Sequence, residues 1–162
     1  MTCALSLCLI NRNDQENLIN LIKHARPHVG EIVVVDTGST DDSVSAALRA
    51  GADCVRMMPE LMHEDGAIRS FGQARQFSYD LATCPWQLWL NSDCDLQDWT
   101  RMPETIAKAT AFRDLKPEHA GVAFKMWVDY SWTPDRSRCI QSFTREYITH
   151  RDDGWKWQRP IH

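Results

Sequence analysis

Four short apolar runs, residues 4–10, 31–35, 53–57 and 86–90, alternate with stretches of helical periodicity, and this alternation restricts the fold more than any other feature of the chain. Each run is too short to cross a membrane, and most are apolar enough for strands buried on both faces. Between the first two, Leu18, Ile19, Leu21 and Ile22 fall on one side of a helix that Asn13 or Asp14 can cap and that Pro27 and Gly30 end. Residues 43–50 form a second helix, stopped at Gly51. The spacing of Ile68, Phe71, Ala74, Phe77, Ser78 and Leu81 predicts a third over 66–83. Strands alternating with helices make βαβ units with right-handed crossovers, hence an α/β fold with a mostly parallel central sheet flanked by helices.

In such a sheet, ligands bind beyond the carboxyl ends of the strands. The first strand ends at Asn11-Arg12-Asn13, the second at Asp36-Thr37-Gly38-Ser39 and the fourth at Asn91, Ser92, Asp93, Cys94 and Asp95. Asn91, Asp93 and Asp95 alternate, and their oxygens suit a hard divalent cation such as Mg²⁺ or Mn²⁺, which in turn suits a diphosphate. For each cluster there is a plainer explanation, because Asp and Asn are common where a strand turns into a loop. Asp36 can cap the helix after its loop, and Asp41 and Asp42 serve that helix's positive end. Arg75 can be a surface helix residue in an ion pair. Three polar clusters at equivalent topological positions favour a site over coincidence.

A length of 162 residues fits a single domain over 1–162, and 43% apolar with 25% charged residues is a globular balance. The formal charge of −4 gives no general basic field, so nucleic-acid binding is not expected. Six scattered cysteines without a CxxC pair point to reduced thiols and a cytoplasmic protein, and no transmembrane segment is predicted. No GxGxxG follows the first strand, which disfavours a dinucleotide-dependent oxidoreductase. Later in the chain a helix is predicted over 102–112, with strands over 122–128 and 139–144 and another beginning at 155–157. Nothing resembling a finishing helix precedes His162, so the domain is expected to be cut short at its carboxyl end. Seven tryptophans are divided between core packing and platforms for sugar rings.

Four segments occur in order across almost the whole chain: LSLCLINRNDQENL, EIVVVDTGSTDDS, FGQARQFSYDLATCPWQLWLNSDCDL and WKWQRPIH. Together they resemble the family 2 glycosyltransferases of GT-A fold (Rossmann-like), in the branch with a C-terminal His-Glu motif. The resemblance implies a metal-dependent inverting glycosyltransferase that moves a sugar from a nucleoside-diphosphate donor, most often a UDP-sugar, to an acceptor hydroxyl. It implies that Asp36 bonds the base or ribose, that Asn11, Asn13 and Gly38 belong to the nucleotide pocket, and that Arg75 lies beside the nucleotide or its phosphates. Asp93 matches the metal-binding aspartate, with Asp95 beside it and Mn²⁺ or Mg²⁺ bridging to the diphosphate. Asn91 stands where the family usually carries the first Asp of that motif, as a nucleotide-sugar contact with one charge fewer near the cation, and Gln76 stands where Asn is usual. The Glu that would follow His162 as general base is not in the sequence. His162 remains as a late metal or phosphate contact, and Asp129, Asp152 or Asp153 are substitutes that spacing does not separate. Asn91 and the missing base support a second reading, a nucleotide-sugar-binding module that has lost catalysis. The acceptor is not specified.

Overall fold

In the computed structural model, which describes residues 3–94, 96, 98–116, 118, 124–132 and 139–157, the sheet is built from β1 (Leu5–Asn11), β2 (Glu31–Asp36), β3 (Cys54–Met57), β4 (Trp86–Asn91), β5 (Phe124–Trp132) and β6 (Cys139–His150). Their spatial order is β3-β2-β1-β4-β6-β5. The first four strands pair in parallel, as βαβ alternation requires. β6 then joins β4 antiparallel, and β5 joins β6 antiparallel. The helices are α1 (Gln15–Ala25), α2 (Ser43–Ala50), α3 (Phe71–Leu81) and α4 (Met102–Leu115).

Every residue of β1 is buried, which is why its sequence shows no polar alternation. Leu5, Leu7, Leu9, Ile32 and Val34 join Leu18, Leu21 and Ile22 of α1 in the main core cluster. A smaller cluster joins Ile10 and Val35 to Ala74, with Phe71 and Phe77 of α3 packed against it. A fully buried Leu, Ile or Val contributes about 1.5–3 kcal/mol by leaving water, so the central strands anchor whatever projects from their ends. Trp86, Trp89 and Trp99 are core residues. Trp86 also donates its indole N–H to Thr110 Oγ1 of α4 at 2.9 Å.

Two differences from the sequence reading have clear causes. The third helix begins at Phe71 rather than 66, because Ser70 caps it by accepting from Gln73 N–H at 3.1 Å. The preceding stretch is instead a small hairpin, with Met62 bridged antiparallel to Ile68 and Gly66 at φ +83° in its turn. Residues 155–157 are not in a strand; Trp157 is half-buried against Tyr79 and Trp89, with ring centroids 6.0 and 5.2 Å away. Among the described residues, no helix is long and apolar enough to cross a membrane.

Candidate functional site

Strand register brings the polar ends together. Asn11 pairs with Asp36, and Ile10 pairs with Asn91, so the carboxyl ends of β2, β1 and β4 form one row. Above that row lies a cavity of about 560 Å³. Its polar wall is Asn11, Asp14, Thr37, Asn91, Ser92 and Asp93, its apolar wall Ile10, Met62, Ile68 and Phe71, and Arg12 and Gly66 complete it. An apolar pocket with a few placed polar groups is the usual form of a small-molecule site.

Asp36 stands at the predicted strand end, but its carboxylate faces the protein. It is 0% exposed. Its Oδ1 accepts from the backbone N–H groups of Gly38 and Ser39 at 3.0 and 2.7 Å, and its Oδ2 from Ser39 Oγ and Asn11 Nδ2 at 2.6 and 3.0 Å. Four donors leave no outward oxygen, so Asp36 shapes the β2–α2 loop where direct contact with a base or ribose was expected. Thr37, its neighbour, is the one on the cavity wall. Gly38 has φ +100°, a conformation that glycine adopts without strain and that lets the loop wrap this carboxylate. Asn13 lies off the cavity wall and ties the two loops: its N–H donates to Ser39 Oγ at 2.8 Å, and its Oδ1 accepts from Thr40 N–H at 2.7 Å.

Asn11 is oriented by the same cluster. A carboxylate can only accept, so the amide nitrogen must face Asp36. Asn11 Oδ1 then remains buried without a hydrogen-bond partner on a side chain of the cavity wall.

Arg75 is only 6% exposed and is not part of the wall. Its guanidinium carbon lies 4.1 Å from the Trp89 ring centroid, 5.1 Å from that of Trp157 and 5.7 Å from that of Phe71. Its Nη2 reaches Asn91 Oδ1 at 3.4 Å. This arrangement positions the β4 exit rather than presenting charge to a phosphate.

Asp93 is exposed on the wall, beside Asn91 and Ser92. The Cys94 thiol donates to its Oδ1 at 3.6 Å, and burial together with the Asp93 charge holds that thiol above its ordinary range. A protonated sulfur is a poor metal ligand, so the local donors are hard oxygens. Asp14, which the sequence suggested only as a helix cap, makes no side-chain cap bond. Instead its Oδ2 accepts from Ser92 Oγ at 2.7 Å and its Oδ1 from Asn17 Nδ2 at 2.9 Å, which holds it on the wall. Its place directly after the first strand's polar exit was the available signal. Among the described residues, no three His, Cys, Asp or Glu side chains converge as a metal cage. One exposed carboxylate with neighbouring oxygens fits an Mg²⁺ or Mn²⁺ that shares its ligands with a phosphate.

The other candidates fall elsewhere. Asp95 and His162 lie outside the described residues. Asp129 is in β5, at the sheet edge opposite β3. Asp152 and Asp153 follow His150, which pairs with Trp86 at the start of β4. The cavity is at the other end of that strand, ~17 Å away at about 3.4 Å per residue. Asp153 is moreover tied to Arg113 at 2.5 Å. Neither can serve as general base in this cavity. Asp41 and Asp42 serve α2 as expected, Asp41 accepting from Ser43 N–H and Asp42 pairing with Arg49 and Ser45.

No family model matches the chain. It is 34% identical over 117 residues to the TPR repeat-containing protein Synpcc7942_0270 of Synechococcus elongatus, a match covering 70% of this chain and 27% of that protein. The chain thus spans about a quarter of the length of that curated relative. Glucosyl-3-phosphoglycerate synthase of Mycobacterium tuberculosis superposes with a TM-score of 0.55 at 20% identity, over 93% of this chain and 58% of that one. Its complex with Mn²⁺, UDP-glucose and phosphoglyceric acid gives a TM-score of 0.54 at 16% identity, covering 93% and 57%. Mannosyl-3-phosphoglycerate synthase of Rubrobacter xylanophilus gives 0.51 at 22% identity, covering 83% and 42%. Parallel βαβ units, an antiparallel pair beyond β4 and these superpositions agree: the chain has the GT-A fold of glycosyltransferases.

Proposed function

We propose that the chain carries out glycosyl transfer from a nucleoside-diphosphate sugar, a UDP-sugar being the first donor to test, to an acceptor hydroxyl with inversion. The observation that carries this reading is the cavity above the ends of β1, β2 and β4, where Asn11, Thr37, Asn91 and Asp93 face one space beside an apolar wall. The synthase of similar fold has been seen with Mn²⁺ and UDP-glucose together.

In this reading the base lies against the apolar wall. Asn11 Oδ1 accepts from a ligand N–H or O–H, and Asp36 keeps the loop in place behind it. Asp93, with Asn91 beside it, holds Mn²⁺ or Mg²⁺. When bound, that ion supplies Lewis-acid stabilisation of the charge growing on the departing diphosphate, worth several kcal/mol. Asp95 is proposed as its neighbour in this task, and His162 as a late contact to metal or phosphate.

A second reading, a binding module without turnover, draws support from Asn91 and from the distance of Asp152 and Asp153 from the cavity. One experiment separates the two. The protein is incubated with Mn²⁺ and a panel of nucleotide sugars, while nucleoside diphosphate release and donor binding are measured. Release supports transferase chemistry, binding without release supports the module, and neither binding nor release rejects the nucleotide-sugar reading.

A further inference from the structure

We propose that Arg12 is the phosphate-binding cation of this cavity, and that a bound phosphate draws its guanidinium from the Gly66 carbonyl and so loosens the Met62–Ile68 hairpin. The inference rests on the nucleotide-sugar reading of the same cavity and names a residue for its diphosphate part.

The sequence pointed to Arg75 for this task, but Arg75 is 6% exposed among aromatic rings and off the wall. Among the described residues lining the cavity, Arg12 is the one Lys, Arg or His, and it is exposed. It follows Asn11 directly at the carboxyl end of β1, where ligands of parallel sheets bind. With Asp14 and Asp93 on the same wall, a dianionic or trianionic phosphate needs both a metal ion and a fixed cation to enter.

Among the described residues the guanidinium has a single, neutral partner. Arg12 Nη1 donates to Gly66 O. A guanidinium has five N–H donors, and a neutral carbonyl is a modest acceptor. A phosphate offers a charge-assisted, bidentate partner whose hydrogen bonds are roughly twice as strong as neutral ones. Arg12 should therefore transfer to it.

Gly66 lies in the turn of a short hairpin whose base is closed by Arg69, which donates its N–H to Leu61 O and its Nε–H to Met62 O, each at 2.8 Å, while the turn itself has fewer ties. The hairpin has one bridge, Met62 to Ile68, with His63 N–H donating to Ala67 O at 2.8 Å and Gly66 N–H to His63 O at 3.0 Å. Isolated two-stranded hairpins are marginal in water. Yet Met62, Gly66 and Ile68 form part of the cavity wall, so their release would widen the cavity when the anion arrives. Gly66 also has φ +83°, and a Cβ there would lie 3.5 Å from Arg12 Nη2.

The test uses titration calorimetry in the presence of Mn²⁺ with three probes: inorganic pyrophosphate, UDP and uridine. For Arg12→Ala we expect pyrophosphate and UDP to bind about tenfold or more weakly and uridine to bind as in the wild type. Arg12→Lys, which keeps the charge and loses the fork, should fall between. Hydrogen exchange at the His63 and Gly66 amides should accelerate when pyrophosphate is added to the wild type, and should already be fast in Arg12→Ala. Undiminished pyrophosphate binding by Arg12→Ala overturns the assignment, as does an equal loss of uridine or a wild type that ignores pyrophosphate. Slower exchange on adding pyrophosphate overturns the hairpin release. A wild type that binds pyrophosphate through Arg12 but gains nothing from the nucleoside leaves this inference standing and rejects the nucleotide reading instead.

Discussion

Arg75 and Trp89 are stacked, the guanidinium carbon 4.1 Å from the ring centroid, so the cation of α3 holds β4 instead of facing the cavity. Trp157 flanks the same guanidinium at 5.1 Å, edge-on to Trp89, and its backbone N–H donates to Gln76 Oε1 at 3.2 Å. Replacing Arg75 by Met keeps the length and removes the charge. We expect a loss of about 1–3 kcal/mol in urea unfolding, from three cation–π contacts and the Asn91 contact. UDP affinity should fall less than in Arg12→Ala.

Asp93→Ala should abolish the dependence of donor binding on Mn²⁺, because Asp93 is the exposed carboxylate beside Asn91 on the cavity wall. Asp42→Ala should leave that dependence unchanged, since Asp42 is engaged with Arg49 and Ser45 on α2. Equal losses in calorimetric titrations of the two variants would reject the site assignment.

Asp153→Asn separates stability from chemistry. The Asp153 side chain is 1% exposed and paired with Arg113, itself 23% exposed. Breaking a pair of this kind strands a largely buried charge, and we expect about 2–4 kcal/mol of destabilisation. Donor binding and product release at 20 °C should remain within about twofold of the wild type, for Asp153 sits at the opposite end of β4 from the cavity. A specific loss of turnover in a folded Asp153→Asn protein would restore it as general base.

His150 gives the fold a dependence on pH. It is 8% exposed, its ring lies 4.9 Å edge-on from Trp86, and its Nδ1 accepts from Asp152 N–H. Burial, with the Arg113 charge adding to it, holds the imidazole below its usual 6.5, although Asp152 and Asp153 pull the other way. The unfolded chain therefore binds this proton more readily. Its contribution is complete above pH 6.5 and drains away as the pH falls from there through the folded-state value. The urea midpoint should drop between pH 7.5 and 5.5, and His150→Gln should flatten that drop.

The parallel half of the sheet could be read from the sequence because each of its strands is a short run bounded by polar turns; burial on both faces leaves no other use for β1, β2 and β4, while β3 is a partly exposed edge strand. The antiparallel half was read only in outline. Strands β5 and β6 extend to Trp132 and His150, well beyond the apolar cores that announce them, because pairing with each other sustains polar stretches that composition does not mark. The site was legible at the level of strand ends: Asn11, Asn91 and Asp93 do meet at one cavity. The direction each side chain takes was not. Asp36 and Arg75 occupy the expected positions but turn inward, one drawn by four hydrogen-bond donors and the other by aromatic rings. Asp14 and Arg12 turn toward the cavity through partners 78 and 54 residues away, Ser92 and Gly66, which no local pattern reveals.

The inward carboxylate of Asp36 has a consequence for how tightly any guest could be held. By clamping Gly38, Ser39 and Asn11 before anything arrives, it removes most of the disorder that this side of the cavity would otherwise surrender on complex formation. That side of the rim is held in advance, and adaptation is left to the hairpin. Selectivity should therefore reside in the stiff side, and the rates of entry and departure in the yielding one.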